Sequence, residues 1–115
     1  MKLATERHPD AVVLKPEGRI DYANADAVGA ALAPHLENCK AGGDALVFDL
    51  SSLEYISSAG LRVLMLAAKK ATAAGGKIAV AAAQPVVAEI LQISRFNMVF
   101  PIHATLAEAL AAPKG

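Results

Sequence analysis

The stretch ALVFDLSSLEYISSAGLRVL, residues 45–64, decides the fold. Its first six residues, Ala45 to Leu50, are nearly all apolar, which is typical of a central strand covered on both faces. A loop from Ser51 to Ser57 leads into a long helix that we predict from Ser58 to about Ala74, where Gly75-Gly76 is a C-terminal stop signal. A buried strand followed closely by a long helix is part of a βαβ unit, so this stretch favours a parallel sheet.

The residues before this stretch predict two strands and a helix. Residues 2–7 and 11–16 have strand character, and His8-Pro9-Asp10 is a turn between them. Glu17-Gly18 then breaks the second strand, and Arg19-Ile20-Asp21 leads toward the helix. The sequence therefore begins with a hairpin, which makes the predicted sheet mixed rather than all parallel.

The first helix has a recognisable start and one internal difficulty. Asn24 is a candidate N-cap, and Asp26 in the first turn suits the positive end of the helix dipole. Pro34 lies inside the segment, where a proline loses a hydrogen bond and costs about 3 kcal/mol. We therefore expect a kink or a break at Pro34, before Ala41-Gly42-Gly43 closes the segment. The apolar residues at helical spacing are Val28, Ala31, Leu32 and Leu36.

The residues after the stretch continue the alternation of strands and helices. The predicted elements are a strand at Lys77–Ala82, a helix at Pro85–Ser94, a strand at Val99–Ile102, and a final helix after the capping box of Thr105 and Glu108, to about Leu110. The order β-β-α-β-α-β-α-β-α predicts an α/β fold. We expect one domain over residues 1–115, with a mixed sheet of about four or five strands and about four helices.

Composition excludes several classes of protein. Hydrophobic residues make up 55% of the 115 residues, and the formal net charge is +0 at pH 7. A globular domain without a basic stripe is a poor partner for nucleic acid, because binding phosphates requires clustered Lys and Arg. Apolar runs are too short to cross a bilayer and no signal-peptide core is present, so we expect a cytoplasmic protein without membrane insertion. The single cysteine, Cys39, is expected to be a reduced thiol without a function.

Two serines precede or begin the long helix. Ser57 or Ser58 can be an ordinary cap, since a serine hydroxyl often accepts a hydrogen bond from the free N–H groups of the first turn. The same position also exposes a hydroxyl at the tip of a loop. A phosphate there would add roughly −1.5 to −2 charges beside N–H donors.

Two motifs resemble those of the STAS domain of bacterial anti-sigma factor antagonists. Phe48-Asp49-Leu50-Ser51, followed by Ile56-Ser57-Ser58-Ala59-Gly60-Leu61, is similar to the family pattern of a strand, Asp-Leu-Ser, a short loop and Asp-Ser-Ser/Ala-Gly-Leu. Gly18-Arg19-Ile20-Asp21 resembles the family's Gly-x-Leu/Ile-Asp after its second strand. The similarity covers nearly the whole chain in length and order of elements.

The resemblance implies roles for individual residues. Ser58 stands where the family carries its phosphorylated Ser or Thr, with Ser57 as the second choice because it replaces a common acidic residue. Asp21 and Asp49 match family aspartates near the same surface. For both aspartates a purely structural role stays open: Asp21 can shape the turn before the helix, and Asp49 can bind N–H groups of its loop.

The resemblance also implies a function and partners. An unmodified antagonist of this family binds an anti-sigma factor, which is also its GHKL-type serine kinase, and so frees a sigma factor. Phosphorylation breaks that complex, and a PP2C-type phosphatase restores it. No cofactor is implied. Two other roles of the same fold stay open, namely a STAS subunit of a lipid-transport ABC complex and a stressosome component.

Three residues of the long helix are further candidates for contact with the partner. Leu66 lies between polar residues one turn after Arg62, and it is either an anchor in the interface or part of a wide apolar arc with Val63 and Ala67. Gly60 is the third, and we expect Gly60→Val to weaken partner binding more than stability. The predicted apolar face of the helix is Leu61, Leu64, Met65, Ala68 and Thr72.

Catalysis is not expected. Ile56-Ser-Ser-Ala-Gly60 lacks the first glycine of a nucleophile elbow, and the predicted loop is too long for that turn. His8, His35 and His103 are expected at the surface, and no spacing among them suggests metal ligands.

Overall fold

The computed structural model describes residues 3–111, and it confirms the α/β class. The strands are β1 (Leu3–His8), β2 (Ala11–Pro16), β3 (Gly18–Ile20), β4 (Ala45–Asp49), β5 (Leu53–Ile56), β6 (Ile78–Ala81) and β7 (Ile102–His103). The helices are α1 (Ala25–Glu37), α2 (Ser58–Ala73), α3 (Pro85–Ile93) and α4 (Leu106–Ala111), with a short 3₁₀ helix at Phe96–Met98. No helix among these residues is long and apolar enough to span a membrane.

The main sheet has five strands in the order β1-β2-β4-β6-β7. β1 is antiparallel to β2, as the predicted hairpin requires, and the other neighbours are parallel. β4 lies in the centre, where Phe48 pairs with Leu14 on one side and Val80 on the other. The near-continuous apolar run of β4 thus fits a strand with neighbours on both edges and cover on both faces.

The two faces of the sheet are covered unequally. Alternate residues along a strand point to opposite faces. One set packs with α1, α2 and α3 in the larger core, which includes Leu46, Phe48 and Val80 together with Leu32 and Leu64. The other set forms a smaller cluster of Val13, Val47, Ala81 and Ala109, in which α4 supplies the cover. A six-residue helix therefore covers the face opposite the other three helices.

A second, two-stranded sheet corrects the sequence prediction. β3 pairs in parallel with β5, with Ile20 opposite Ile56. The predicted break is confirmed, because β2 ends at Pro16 and Glu17 lies outside both strands, but the predicted loop from Ser51 to Ser57 was wrong, since it contains β5. The side chains explain the pairing, because Ile20 and Ile56 are both buried and the Arg19 guanidinium lies 4.5 Å from the centroid of the Tyr55 ring. Strands of three and four residues are too short to give a period-2 pattern in the sequence.

The predicted break at Pro34 was wrong, because α1 runs through it to Glu37, and the alternative of a kink stays a prediction. The missing N–H of Pro34 leaves the Ala30 carbonyl without its usual donor. Both Pro34 and Ala30 are exposed, so water can satisfy that carbonyl at little cost. Pro34 is therefore tolerated because it lies on the solvent-exposed side of α1.

The end of the chain keeps the predicted helices but changes one strand. The strand predicted at Val99–Ile102 is reduced to β7, and a 3₁₀ turn precedes it. Phe96 and Phe100 hold this segment in place by an edge-to-face contact with centroids 5.5 Å apart. The Thr105 half of the predicted capping box is confirmed, since its hydroxyl accepts a hydrogen bond from the Glu108 N–H at 3.1 Å. The Glu108 carboxylate accepts its bond from the Thr105 hydroxyl, at 3.2 Å, and not from the backbone N–H that a full capping box uses.

Gly60 lets the first turn of α2 rest directly on the small sheet. A Cβ at this buried position would lie 2.7 Å from Cγ2 of Ile20 and 2.7 Å from Cγ1 of Ile56. Real Cβ atoms do not approach other carbons so closely, so any larger residue must displace the helix or the strands. Gly60 therefore has an internal packing role, so we expect its substitution to lower stability, and the expected loss of partner binding stays a prediction.

We predict that Gly60→Ala lowers the free energy of unfolding by about 1–3 kcal/mol, because the added methyl overpacks the contact with Ile20 and Ile56. The matched control is Gly29→Ala in α1, where a Cβ would meet only Val63 at 3.9 Å. That control should be neutral or stabilising by about 0.5–1 kcal/mol, since alanine is the better helix former. Urea unfolding of the three proteins measures both values, and equal effects of the two substitutions would contradict this packing account.

Candidate functional site

The small sheet brings two of the predicted site segments together. The N–H of Ser57 donates to the Ile20 carbonyl at 2.8 Å. Because β3 and β5 are parallel and in register at Ile20 and Ile56, the residues that follow each strand leave the sheet at the same edge. Asp21 and Ser57 are therefore neighbours, although they lie far apart in the sequence.

The two serines have different roles at the start of α2. Ser57 is the N-cap, and its hydroxyl oxygen accepts a hydrogen bond from the Gly60 N–H at 3.3 Å. Ser58 is the first residue of the helix and is exposed. Its hydroxyl makes no hydrogen bond within residues 3–111. The sequence left the cap undecided between them, and the structure assigns it to Ser57.

Asp21 shapes the turn between β3 and α1. Its carboxylate accepts a hydrogen bond from the Ala23 N–H at 3.0 Å, and the Asn24 side-chain oxygen accepts one from the Asp21 N–H at 2.8 Å. Asn24 occupies the N-cap position, but its side chain makes no capping bond to the helix. The predicted Asn24 cap is therefore correct in position and wrong in mechanism.

An exposed aromatic residue beside this turn was missed in the sequence. Tyr22 follows Asp21 directly and is 87% exposed, the most exposed large hydrophobic residue among those described. Exposed aromatic residues are typical contact residues in protein interfaces, and Tyr22 lies in the turn that follows the strand bonded to Ser57. Tyr22 directly follows the motif Gly18-Arg19-Ile20-Asp21, and this position could have identified it. From that motif the sequence analysis selected only Asp21 as a candidate.

Asp49 has the structural role that the sequence left open. It is 7% exposed, and its carboxylate accepts a hydrogen bond from the Ser51 N–H at 3.0 Å. The Ser51 carbonyl in turn accepts a hydrogen bond from the Gln84 side-chain amide at 2.8 Å. Asp49 thus fixes the turn between β4 and β5, and Gln84 ties that turn to the start of α3.

The outer side of α2 continues the surface that begins at Ser58. Arg62 is exposed, as are Lys69 and Lys70. Leu66 is 55% exposed and stands at the rim of a groove of about 330 Å³ between α1 and α2, to which Val63 also contributes. Leu66 is therefore accessible to a partner, and it also borders the apolar arc that it was predicted to form with Val63 and Ala67. Thr72, which was predicted on the apolar face, is exposed instead.

The described residues offer little other chemistry. No group of three or more His, Cys, Asp or Glu side chains within residues 3–111 could hold a metal ion. Cys39 is buried, its thiol donates to the Lys77 carbonyl at 3.2 Å, and burial raises the pKa of the thiol. A raised thiol pKa disfavours the reactive thiolate. His103, which was expected at the surface, is half-buried with a buried Nε2 atom.

We predict that the two serines differ in their effect on stability. Ser57→Ala should lower the free energy of unfolding by about 0.5–2 kcal/mol, because the Gly60 N–H loses its acceptor. Ser58→Ala should change it by no more than about 0.5 kcal/mol, since an exposed hydroxyl without a hydrogen bond is removed. Thermal melts of the two single variants beside the parent measure the difference, and a larger loss for Ser58→Ala would mean that the cap is misassigned.

Relatives and solved structures agree with this architecture. BtrV of Bordetella bronchiseptica, named as an anti-sigma factor antagonist, is 37% identical over 114 residues, which is 99% of this chain and 96% of the relative. The crystal structure of an anti-sigma factor antagonist from Mycobacterium paratuberculosis superimposes with a TM-score of 0.84 at 28% identity, covering 95% of this chain and 90% of that one.

A more distant protein shares the fold alone. SpoIIAA, an anti-sigma factor antagonist, matches in its unphosphorylated form with a TM-score of 0.75 at 18% identity, covering 95% of this chain and 93% of that one. The phosphorylated form of SpoIIAA from Bacillus matches with a TM-score of 0.69. The sequence model of the STAS domain matches residues 2–109. With nearly the whole chain matched by the family model and by a relative of 37% identity, this protein belongs to the STAS domain family.

Proposed function

We propose that this protein is an anti-sigma factor antagonist that works as a phosphorylation-controlled partner switch. In its unmodified state it binds an anti-sigma factor that is also a GHKL-type serine kinase, and phosphorylation of Ser58 releases that partner. A PP2C-type phosphatase reverses the modification. One observation carries this role: Ser58 is exposed at the start of α2, and its neighbour Ser57 supplies the helix cap.

The binding surface of the proposed switch extends from Ser58 along α2. Residues four apart lie on the same side of a helix, so Ser58, Arg62 and Leu66 form one stripe. Leu66 provides an accessible apolar anchor, and Tyr22 provides an aromatic one beside the serines. Around this stripe, Asp21, Ser57 and Asp49 hold the turns in place, and Gly60 lets the helix start reach the small sheet.

A phosphate on Ser58 would change the charge of this stripe. The N–H groups of the first turn have no partner four residues earlier, so they can face a phosphate dianion. Side chains on a helix lean toward its N-terminus, which brings the Arg62 guanidinium within reach of residue 58. The phosphate would then occupy Arg62 and place about two negative charges in the interface, where loss of water costs affinity. The modification is thus favourable to the free domain and unfavourable to the complex.

The other roles of the fold have less support. BtrV and the protein from Mycobacterium paratuberculosis both carry the name of anti-sigma factor antagonists, and neither is named as a lipid-transport subunit or a stressosome component. We propose no catalytic activity and no cofactor, because the candidate site consists of a surface stripe. Capture of the partner with the purified domain, followed by its identification, discriminates between these roles, since a GHKL-type kinase supports the switch.

We predict that the cognate kinase transfers phosphate from ATP to Ser58. Ser58 is exposed and free of the cap, whereas phosphorylation of Ser57 would destroy the hydrogen bond to Gly60. Mass spectrometry of the tryptic peptides after incubation with the kinase locates the modification. Ser58→Ala should abolish it, and modification restricted to Ser57 or to a distant residue would contradict the assignment.

We predict opposite effects of Ser58→Asp on folding and on binding. The added carboxylate meets the positive end of the helix dipole and should stabilise the free domain by about 0.3–1 kcal/mol. The same charge should weaken binding to the anti-sigma factor, by less than phosphoserine does because it carries one charge. Calorimetric titration beside thermal melts measures both quantities.

Two control variants test whether a loss of affinity is caused by the negative charge at residue 58. Ser58→Ala removes the hydroxyl without adding charge and should bind nearly as the parent does. Thr5→Asp adds the same charge on the exposed edge strand β1, away from the stripe, and should leave affinity unchanged. Equal affinity of Ser58→Asp and Ser58→Ala for a confirmed partner would refute the electrostatic switch.

A further inference from the structure

A cavity of about 250 Å³ lies at the amino ends of β4 and β6, where Leu46, Ile78 and Phe100 of the larger core line it together with residues of the face that α4 covers. Its floor is formed by Ala45, Val47 and Ala79, which point to the same face because they alternate along β4 and are paired between β4 and β6. β7 pairs only with Val80 and Ala81, so it does not extend beside Ala79. The cavity therefore exists because two short elements, β7 and α4, leave a floor of small side chains uncovered.

Among the described residues that line this cavity, Lys77 is the one with a formal charge. Lys77 and His103 line it, and none of its described lining residues is an Asp or a Glu. His103 lies opposite Ala81, whose side chain belongs to the α4 side of the sheet, so the imidazole is directed to the same side. The Nε2 atom of His103 is buried without a hydrogen-bond partner in the described chain. The nearest acidic residues in sequence are Asp44, which pairs with Arg7, and Glu108, whose carboxylate accepts a hydrogen bond from the Thr105 hydroxyl.

We propose that this cavity binds a small organic carboxylate whose apolar body lies on the alanine floor and whose anionic group meets Lys77 and His103. A cavity of about 150 Å³ lined by apolar residues holds benzene, so about 250 Å³ accommodates a substituted ring of similar kind. Lys77 lines the cavity and is exposed, so its flexible side chain can bring the ammonium to a bound anion and favour it over a neutral molecule of equal shape. The unpartnered imidazole nitrogen gains a hydrogen-bond partner when its ring turns toward the ligand.

This site is separate from the proposed partner switch. Thr72 of α2 lines the cavity, and it lies about 21 Å along the helix axis from Ser58 at 1.5 Å per residue. The cavity is at the amino ends of β4 and β6, whereas Asp49 and the turn to β5 follow the carboxyl end of β4. The carboxylate site thus does not depend on the function proposed for Ser58.

The test uses a matched pair of probes, 4-ethylbenzoate and its neutral analogue 4-ethylbenzamide. Amide chemical-shift titration of the ¹⁵N-labelled domain gives both the location of binding and the dissociation constant. At the per-atom efficiency of drug-sized ligands, about 11 non-hydrogen atoms give a dissociation constant of about 4 mM. We expect the benzoate to shift residues around Ala45, Ala79 and His103 while Ser58 stays unchanged, and the benzamide to bind about threefold more weakly.

Three variants decide the outcome. Ala79→Leu should fill the cavity and abolish the shifts in a domain that keeps its folded spectrum. Lys77→Gln changes an exposed side chain and should remove most of the preference for the carboxylate, whereas Lys69→Gln, outside the cavity, should preserve it. Absence of localised shifts, binding elsewhere, or equal affinity of the two probes for the parent protein would overturn the proposal, whether or not Ala79→Leu folds.

Discussion

The contact between the first turn of α2 and the β3–β5 sheet is the constraint on which the candidate site depends. Only a residue without a side chain fits at Gly60, between Ile20 and Ile56. This contact sets the helix start against the end of both strands, and the hydrogen bond from Ser57 to the Ile20 carbonyl fixes the distance between them. Ser58, the residue that follows Ser57, faces solvent, so its exposed position follows from that geometry.

In the proposed switch, adjacent serines divide two tasks that one residue could not perform together. A hydroxyl that caps a helix is engaged with an N–H group, and its modification would remove that hydrogen bond. Ser57 carries the cap, so a charge on Ser58 can change the surface without a loss of helix stability. The two aspartates also have a structural role, because the Asp21 and Asp49 carboxylates each accept a hydrogen bond from an N–H of their own turn. A stable frame around a modifiable residue is the physical requirement of a switch.

The two faces of the main sheet are covered unequally, so the two sides of the molecule differ. Three helices pack on one face and produce the larger core, and the site around Ser58 belongs to that side. The opposite face has α4, with Ala109 packed against Val47 and Ala81. Small side chains and short elements leave a cavity at the edge of this face, with Lys77 and His103 at its boundary. A short helix over a sheet can thus protect the centre of a face and still leave space at its edge.

The sequence by itself determined the α/β class, the hairpin at the start, the four helices and the segment that carries the site, because long apolar runs and capping signals are local in the chain. It did not show β3 and β5, whose few residues are stabilised by pairing with each other across more than thirty intervening positions. The choice of Ser57 as the cap and the burial of Asp49 also required the tertiary structure, since both depend on which atoms meet in space. Gly60 shows the difference most clearly. A glycine in the sequence is compatible with a helix, a turn or a binding surface, and only the positions of Ile20 and Ile56 show that a side chain at residue 60 would disturb the packing.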